Sequence, residues 1–317
     1  MLDLDRRRFL FVTGKGGVGK STVCAALATA LAASGKRVLV ATTGAKERLS
    51  ELCSSAPLES QIRELSPNLW GVALRAEVAM REYGELKLKS RILVDALFEN
   101  RYAKGFLAGA PGLKEWALLG KAWYHSTELV AGVPRFDVVL FDAPATGHGL
   151  DMLRVPKVIL ELAPPGVLRT DAERAWSMFR DPVQAGVVVV TLAEELPVNE
   201  TEELVGALAS ELQLPIAALV VNSVESELFA RGARDALGAL ATQLPLPESP
   251  GSLALAAGIR RSVRERIQSD CRERLRALGL AELELPRLIG GVSSGRTLAL
   301  LAGRFASSWQ PPRVASS

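Results

Sequence analysis

The stretch Phe9-Leu-Phe-Val-Thr-Gly-Lys-Gly-Gly-Val-Gly-Lys-Ser21 sets the fold of this 317-residue chain. Its apolar run 9–13 predicts a buried strand, and the Ala- and Leu-rich residues 21–33 predict a helix that ends before Gly35. The next apolar run, 38–42, predicts another strand. A strand, a glycine loop, a helix and a strand within roughly 35 residues form a βαβ unit, which predicts a parallel sheet.

The glycine loop matches the pattern G-x-x-x-x-G-K-[ST] at Gly14, Gly19, Lys20 and Ser21. Glycines let backbone N–H groups wrap around phosphate oxygens, and the start of the following helix adds positive dipole character. Lys20 is expected to reach the β- and γ-phosphates of ATP, and the Ser21 hydroxyl to ligate Mg²⁺. The alternative is a turn that only joins strand to helix, but pattern and context together favour nucleotide binding. The residues expected to bind the nucleotide here are Gly14, Lys15, Gly16, Gly17, Val18, Gly19, Lys20, Ser21 and Thr22.

The rest of the chain continues the alternation of apolar runs and helical stretches. Three further runs predict buried strands, at residues 138–141, 187–192 and 217–221. We therefore predict one α/β domain over residues 1–317, a P-loop NTPase with a mainly parallel sheet flanked by helices. Residues 76–132 show no strand pattern and are predicted to form an inserted helical subdomain. The arginine-rich residues 252–278 predict a helix, and their interspersed acids indicate a solvated face.

Composition favours a cytoplasmic protein with a substantial core. Hydrophobic residues make up 48% of the chain, and no run approaches the roughly 18 apolar residues of a membrane span. The first apolar run is too short for a signal peptide. Cys24, Cys53 and Cys271 are scattered, which favours free thiols in a reducing compartment over a disulfide framework. The net charge of +3 demands no nucleic-acid partner.

A second acidic element carries a family resemblance. Asp142 ends the run 138–141, and an Asp at the end of a strand beside a phosphate loop holds the water shell of Mg²⁺. The following residues, 143–148, read Ala-Pro-Ala-Thr-Gly-His. This segment, together with Lys15 directly after the first glycine, resembles the arsenical pump-driving and guided-entry (tail-anchored protein targeting) ATPases with their deviant P-loop. The resemblance implies a dimeric ATPase that couples Mg-ATP binding and hydrolysis to dimer closure.

The resemblance also assigns roles to residues outside the loop. It implies that Lys15 crosses to the nucleotide of the facing subunit, in a homodimer or a heterodimer with a related ATPase. Glu194, within the family-like segment 192–202, matches a glutamate near the nucleotide across the dimer interface. Asn222 matches the strand-end residue that reads adenine, whose edge requires both a donor and an acceptor. Without this context, Lys15 is a solvent-exposed charge and Asn222 is a residue that ends a strand.

The match breaks at Thr43, where the family begins its switch I with an Asp. A threonine hydroxyl orients a water molecule but cannot accept its proton at neutral pH. Thr43 is still a candidate catalytic residue beside Lys15 and Lys20, and Glu47 is a candidate substitute. Three alternatives follow: slow hydrolysis, a catalytically weak regulatory subunit of a heterodimer, or a pure ATP-dependent switch. We favour hydrolysis, because the phosphate loop and metal ligands are intact.

Two family roles depend on the predicted subdomain 76–132. It contains no cysteine, which argues against a site for a thiol-seeking metalloid. Its apolar residues either line a groove for a hydrophobic client helix or membrane protein, or pack as an ordinary helical core. They are Met80, Leu86, Leu88, Ile92, Leu93, Leu97, Phe98, Phe106 and Leu107. A partition-type ATPase that binds DNA or membrane is a further rival, which requires a basic face or an amphipathic terminal helix.

Overall fold

An eight-stranded sheet forms the centre of the molecule. The computed structural model describes residues 4, 6–43, 48–88, 90, 100, 112–144, 148–240 and 249–308, with only the backbone for Leu88 and His148. The sheet strands are β1 (Phe9–Thr13), β2 (Val38–Thr42), β3 (Arg63–Ser66), β4 (Leu69–Ala73), β7 (Val138–Asp142), β8 (Ala185–Leu192), β9 (Ile216–Val224) and β10 (Glu282–Pro286). A separate hairpin pairs β5 (Leu129–Val130) with β6 (Val133–Pro134).

Helices connect these strands. They are α1 (Lys20–Ala33), α2 (Leu49–Leu52), α3 (Ala76–Leu88), α4 (Leu113–Thr127), α5 (His148–Leu162), α6 (Val167–Arg180), α7 (Glu195–Gly206), α8 (Arg231–Ala239), α9 (Pro250–Ala277) and α10 (Gly295–Ser308). A π-helical turn, Ala207–Leu212, continues α7. The long arginine-rich α9 was predicted over 252–278 and is confirmed, with Ser249 capping its first turn.

The strand order is β10-β9-β8-β1-β7-β2-β4-β3. All neighbouring pairs are parallel except β3 with β4. This confirms the predicted α/β fold with a mainly parallel sheet. Because parallel strands point the same way, the chain leaves β1, β2, β7, β8 and β9 at one edge, where α/β proteins bind their ligands.

Helices cover the sheet on both sides, as a parallel sheet requires. On one face, α1 and α10 bury Leu27, Leu31 and Phe305 against the strands. On the other face, α4, α5 and α6 contribute residues such as Trp116 and Phe179 to a second core. Every residue of β1, β2 and β7 is buried, which explains why these strands are continuous apolar runs in the sequence.

The structure corrects the strand prediction in two places. The sheet also contains β3, β4 and β10, which were not predicted: β4 is a short apolar run that was missed, β3 has a single apolar residue, and in β10 charged and apolar residues alternate. The expectation of no strand within 76–132 is wrong, since β5 and β6 form a short hairpin that begins at residue 129. Ala131 and Gly132, both with positive φ, make its two-residue turn. The inserted subdomain itself stays a prediction, because residues 91–99 and 101–111 lie outside the described part of the chain.

Candidate nucleotide-binding site

The loop between β1 and α1 needs glycine at two positions for steric reasons. Gly14 has φ +146°, and a Cβ atom there would lie 2.1 Å from the carbonyl oxygen of Val190 on β8. Gly19 has φ +89°, and a Cβ atom there would lie 2.4 Å from the side-chain nitrogen of Asn222. Both positions therefore favour glycine in conformation and in space. The loop is packed tightly between β8 and the end of β9.

Lys20 lies inside this loop. Its side chain is buried, and its Nζ donates to the carbonyl oxygens of Gly14 at 3.0 Å and Lys15 at 2.8 Å. Burial lowers the pKa of the Lys20 ammonium, while the carboxylate of Asp142 acts in the opposite direction. The ammonium is thus held where the loop curls, with carbonyl partners that phosphate oxygens can replace.

Asp142 and Thr43 meet beside the loop. Asp142 ends β7 and pairs with Val12 of β1 on one side and with Thr42 of β2 on the other. The Thr43 hydroxyl donates to the backbone carbonyl of Asp142 at 3.3 Å. Ser21, the other predicted metal ligand, lies half-buried in the first turn of α1. The structure therefore brings both metal candidates and Thr43 to the edge of the sheet that carries the loop.

A cleft of about 1500 Å³ opens next to the loop and joins residues that are distant in sequence. Among the predicted site residues, its lining includes Gly17, Val18, Gly19, Thr22, Glu194 and Asn222. Asn222 is buried, and its Nδ2 donates to the carbonyl oxygen of Val18 at 2.9 Å. Sequence reasoning missed the wall formed by residues 286–293, which follow β10. No motif marks that wall, and its position depends on the pairing of β10 with β9.

Lys15 makes a different contact from Lys20. Its exposed side chain forms an ion pair with Glu200 on α7. Glu200 belongs to the family-like segment 192–202 but was not among the predicted site residues. The two lysines of the loop thus have separate partners, one within the loop and one on a neighbouring helix.

Several predicted features fall outside the described residues. They are residues 44–47 after Thr43, residues 145–147 after Pro144, and the client-groove candidates Ile92, Leu93, Leu97, Phe98, Phe106 and Leu107. Of the described candidates, Leu86 is exposed and Met80 is half-buried. Within the described ranges, the helices are too short or too polar to cross a bilayer.

A mainly parallel sheet with a glycine-rich phosphate loop between β1 and α1 defines a P-loop NTPase. Residues 7–163 match the model of the anion-transporting ATPase family. ATPase BagA of Mycobacterium tuberculosis (strain H37Rv) is 33% identical, over 68% of this chain and 64% of that protein. ATPase ARSA1 of Chlamydomonas reinhardtii is 28% identical, over 69% of this chain and 35% of that protein.

A third relative, ATPase GET3 of Kluyveromyces lactis, is 24% identical over 71% of this chain and 74% of its own length. Over residues 7–163 the chain matches the anion-transporting ATPase family, which confirms the resemblance found in the residues around Lys15 and Asp142. It spans 64% of the length of the mycobacterial relative.

Proposed function

We propose that this protein is a Mg²⁺-dependent ATPase that couples ATP binding and hydrolysis to the closure of a dimer. The observation that carries the proposal is the shared cleft, onto which the phosphate loop and Asn222 both open. The phosphates bind at the loop, and the base binds beside it at Asn222. The family match supports the same reaction.

Asn222 favours ATP over GTP. One N–H of its amide donates to Val18 and fixes the orientation of the amide, so the side-chain oxygen is left to accept from the base and the second N–H to donate to it. The 6-amino group of adenine donates a hydrogen bond to such an oxygen. The 6-oxo group of guanine presents an acceptor instead, and two acceptors facing each other lose the bond and repel.

Different residues of the loop bind different phosphate oxygens. The Lys20 ammonium exchanges the carbonyls of Gly14 and Lys15 for β- and γ-phosphate oxygens, and the loop N–H groups bind the remaining oxygens. Ser21 and Asp142 are the proposed ligands of Mg²⁺, which when bound neutralises charge on the phosphates. Thr43, held against the Asp142 backbone, orients the attacking water.

In the proposed dimer, Lys15 reaches the nucleotide of the facing subunit. Glu194 is exposed and lines the cleft, where it lies near the nucleotide across the dimer interface. The partner is a second copy or a related ATPase.

A hydrophobic client helix or membrane protein is the proposed cargo, on the strength of the apolar residues in 76–132. The cytoplasm is the proposed location, supported by three free cysteines.

A second candidate function is a catalytically weak regulatory subunit that binds ATP and depends on its partner for hydrolysis. The observation that favours it is Thr43, whose hydroxyl contacts a backbone carbonyl and offers no carboxylate to the water.

Phosphate release and ATP binding by the purified chain, alone and mixed with related ATPases, test these proposals. Lys20→Ala is expected to weaken ATP binding by about tenfold or more, because a buried charge-assisted contact is lost. Lys36→Ala, a half-buried lysine just before β2, is the matched control and keeps wild-type binding. Tight ATP binding with phosphate release only in a mixture selects the regulatory subunit, whereas no release in any mixture contradicts hydrolysis. Failure of the wild type to bind ATP contradicts both functions.

A further inference from the structure

Helix α7 holds Glu200 in a fixed position beside the phosphate loop. Val198 is fully buried, and Thr201 donates to the hydroxyl of Thr191 at the end of β8 at 2.9 Å. Arg274 of α9 binds Asn199 at 2.7 Å and Glu202 at 2.6 Å. Residues on both sides of Glu200 are therefore anchored, so its carboxylate is a preorganised acceptor.

Lys15 is the cation that this acceptor binds. Its Nζ contacts Oε1 of Glu200, whereas Oε2 of Glu200 is buried and has no hydrogen-bond partner within the described part of the chain. If Lys15 leaves, the carboxylate keeps a partly buried charge with its only described cationic partner gone. Such a charge is costly, so the contact favours return of the lysine.

We propose that Glu200 is a positioning residue that holds Lys15 within its own subunit and sets the ATP concentration at which the dimer closes. This rests on the proposed function, in which Lys15 acts across the dimer. The lysine cannot contact Glu200 and a nucleotide on the facing subunit with the same geometry. Closure therefore breaks the ion pair, and the bound nucleotide must compete with Glu200 for the ammonium.

The contact is suited to a reversible hold. Lys15 is about half exposed and Glu200 about a quarter exposed, so solvent weakens their attraction. A triphosphate carries more negative charge than one carboxylate and attracts the lysine more strongly. Glu200 thus delays closure without preventing it.

The test measures the concentration of a non-hydrolysable ATP analogue that gives half-maximal dimer by analytical ultracentrifugation. Glu200→Gln keeps the shape and removes the charge, and it is expected to lower this concentration by about two- to fivefold. Glu203→Gln removes an exposed charge from the same helix and leaves it unchanged. An unchanged or higher concentration for Glu200→Gln overturns the proposal.

A second readout needs no dimer. In nucleotide-free protein, Glu200→Gln is expected to speed labelling of Lys15 by an amine-reactive reagent about two- to fivefold, relative to Lys36 in the same sample. Equal labelling rates of Lys15 in wild type and variant would show that Glu200 does not hold Lys15, and would overturn the proposal. If the wild type does not dimerise with the analogue, either alone or mixed with a related ATPase, the proposed dimer fails. If it dimerises and Glu200→Gln shifts neither readout, only the role of Glu200 fails.

Discussion

Individual glycines in the phosphate loop differ in what they tolerate. Gly14 combines a φ of +146° with the carbonyl of Val190 at 2.1 Å from the place of a Cβ atom. Gly16, two residues further on, has no heavy atom within 4 Å of that place and no positive φ. A substitution at Gly14 therefore tests how tightly the loop backbone is packed against β8, and the same substitution at Gly16 serves as a control within the same loop.

Gly14→Ala is expected to destabilise the fold by ~1–3 kcal/mol, because β1, β8 or the loop must shift to relieve the clash. Gly16→Ala is the matched control, with unfolding free energy near that of the wild type. Chemical denaturation of both variants checks the difference. Equal stability of the two would show that the contact with Val190 does not restrict the loop.

His125 is a buried titratable residue far from the proposed chemistry. Its Nδ1 lies 2.9 Å from Glu128, and its ring meets Phe136 edge to face. Burial lowers the pKa of His125, although the hydrogen bond with Glu128 acts in the opposite direction. The folded protein therefore keeps this imidazole neutral at a pH where the unfolded chain protonates it.

This shift predicts a pH dependence of stability. The unfolded chain takes up a proton as the pH falls through about 6.5, while folded His125 does so only at lower pH. Stability from this residue is thus present above about pH 6.5 and is lost as the pH falls below it. His125→Phe is expected to flatten the fall in unfolding free energy between about pH 7 and 5.5, measured by urea titration. Both proteins retain His148, so equal slopes would contradict the assignment to His125.

At the scale of elements, one buried carboxylate ties α3 to α6. Asp171 on α6 accepts from the Tyr83 hydroxyl at 2.9 Å and pairs with Lys87 at 2.7 Å. Burial and the hydrogen bond to Asp171 raise the pKa of Tyr83, so the hydroxyl stays protonated and donates. Because α3 opens the predicted subdomain 76–132, this contact links that segment to the helix layer of the core.

Asp171→Ala is expected to lower the unfolding free energy by ~1–3 kcal/mol, because Tyr83 and Lys87 lose their common acceptor. Glu173→Ala, at an exposed position on the same helix, is expected to change stability by less than ~0.5 kcal/mol. Thermal and chemical unfolding compare the two. A matching, small effect of both substitutions would mean that the link between α3 and α6 contributes little.

At the scale of the whole molecule, the nucleotide cleft joins segments from the first, middle and last thirds of the chain. The loop follows β1, Glu194 follows β8, Asn222 lies near the end of β9, and the wall 286–293 begins at the last residue of β10. A ligand that bridges these segments binds the folded chain and not the unfolded one. Binding is therefore coupled to global stability.

Mg-ATP at a hundred times its dissociation constant is expected to stabilise the wild type by about 2.7 kcal/mol, seen as a higher Tm in calorimetry. Asn222→Ala removes the proposed acceptor for the base and is expected to shrink the difference between ATP and GTP. Mg²⁺ without nucleotide is the control for the metal alone. An identical rise with ATP and GTP in the wild type would contradict base selection by Asn222.

The sequence predicted features that depend on residues close together in the chain, and it missed features that depend on contacts between distant residues. Continuous apolar runs predicted β1, β2 and β7, because those strands are buried on both faces. β10 was not predicted because Glu282 to Pro286 contain no continuous apolar run, and this five-residue segment is recognised as a strand from its pairing with β9. Among site residues, the loop was recognisable from spacing alone, whereas Glu200 carries no local signal of its contact with Lys15.

The sequence by itself determined the βαβ unit, the phosphate loop and the membership suggested by the residues around Asp142. These depend on glycine conformation, apolar periodicity and residue spacing, which act over a few positions of the chain. Only the tertiary structure decided that Asn222 closes on Gly19, that residues 286–293 wall the cleft, and that Lys15 binds Glu200. These contacts join residues separated by tens to hundreds of positions, so they exist only once the sheet has assembled its strands in order.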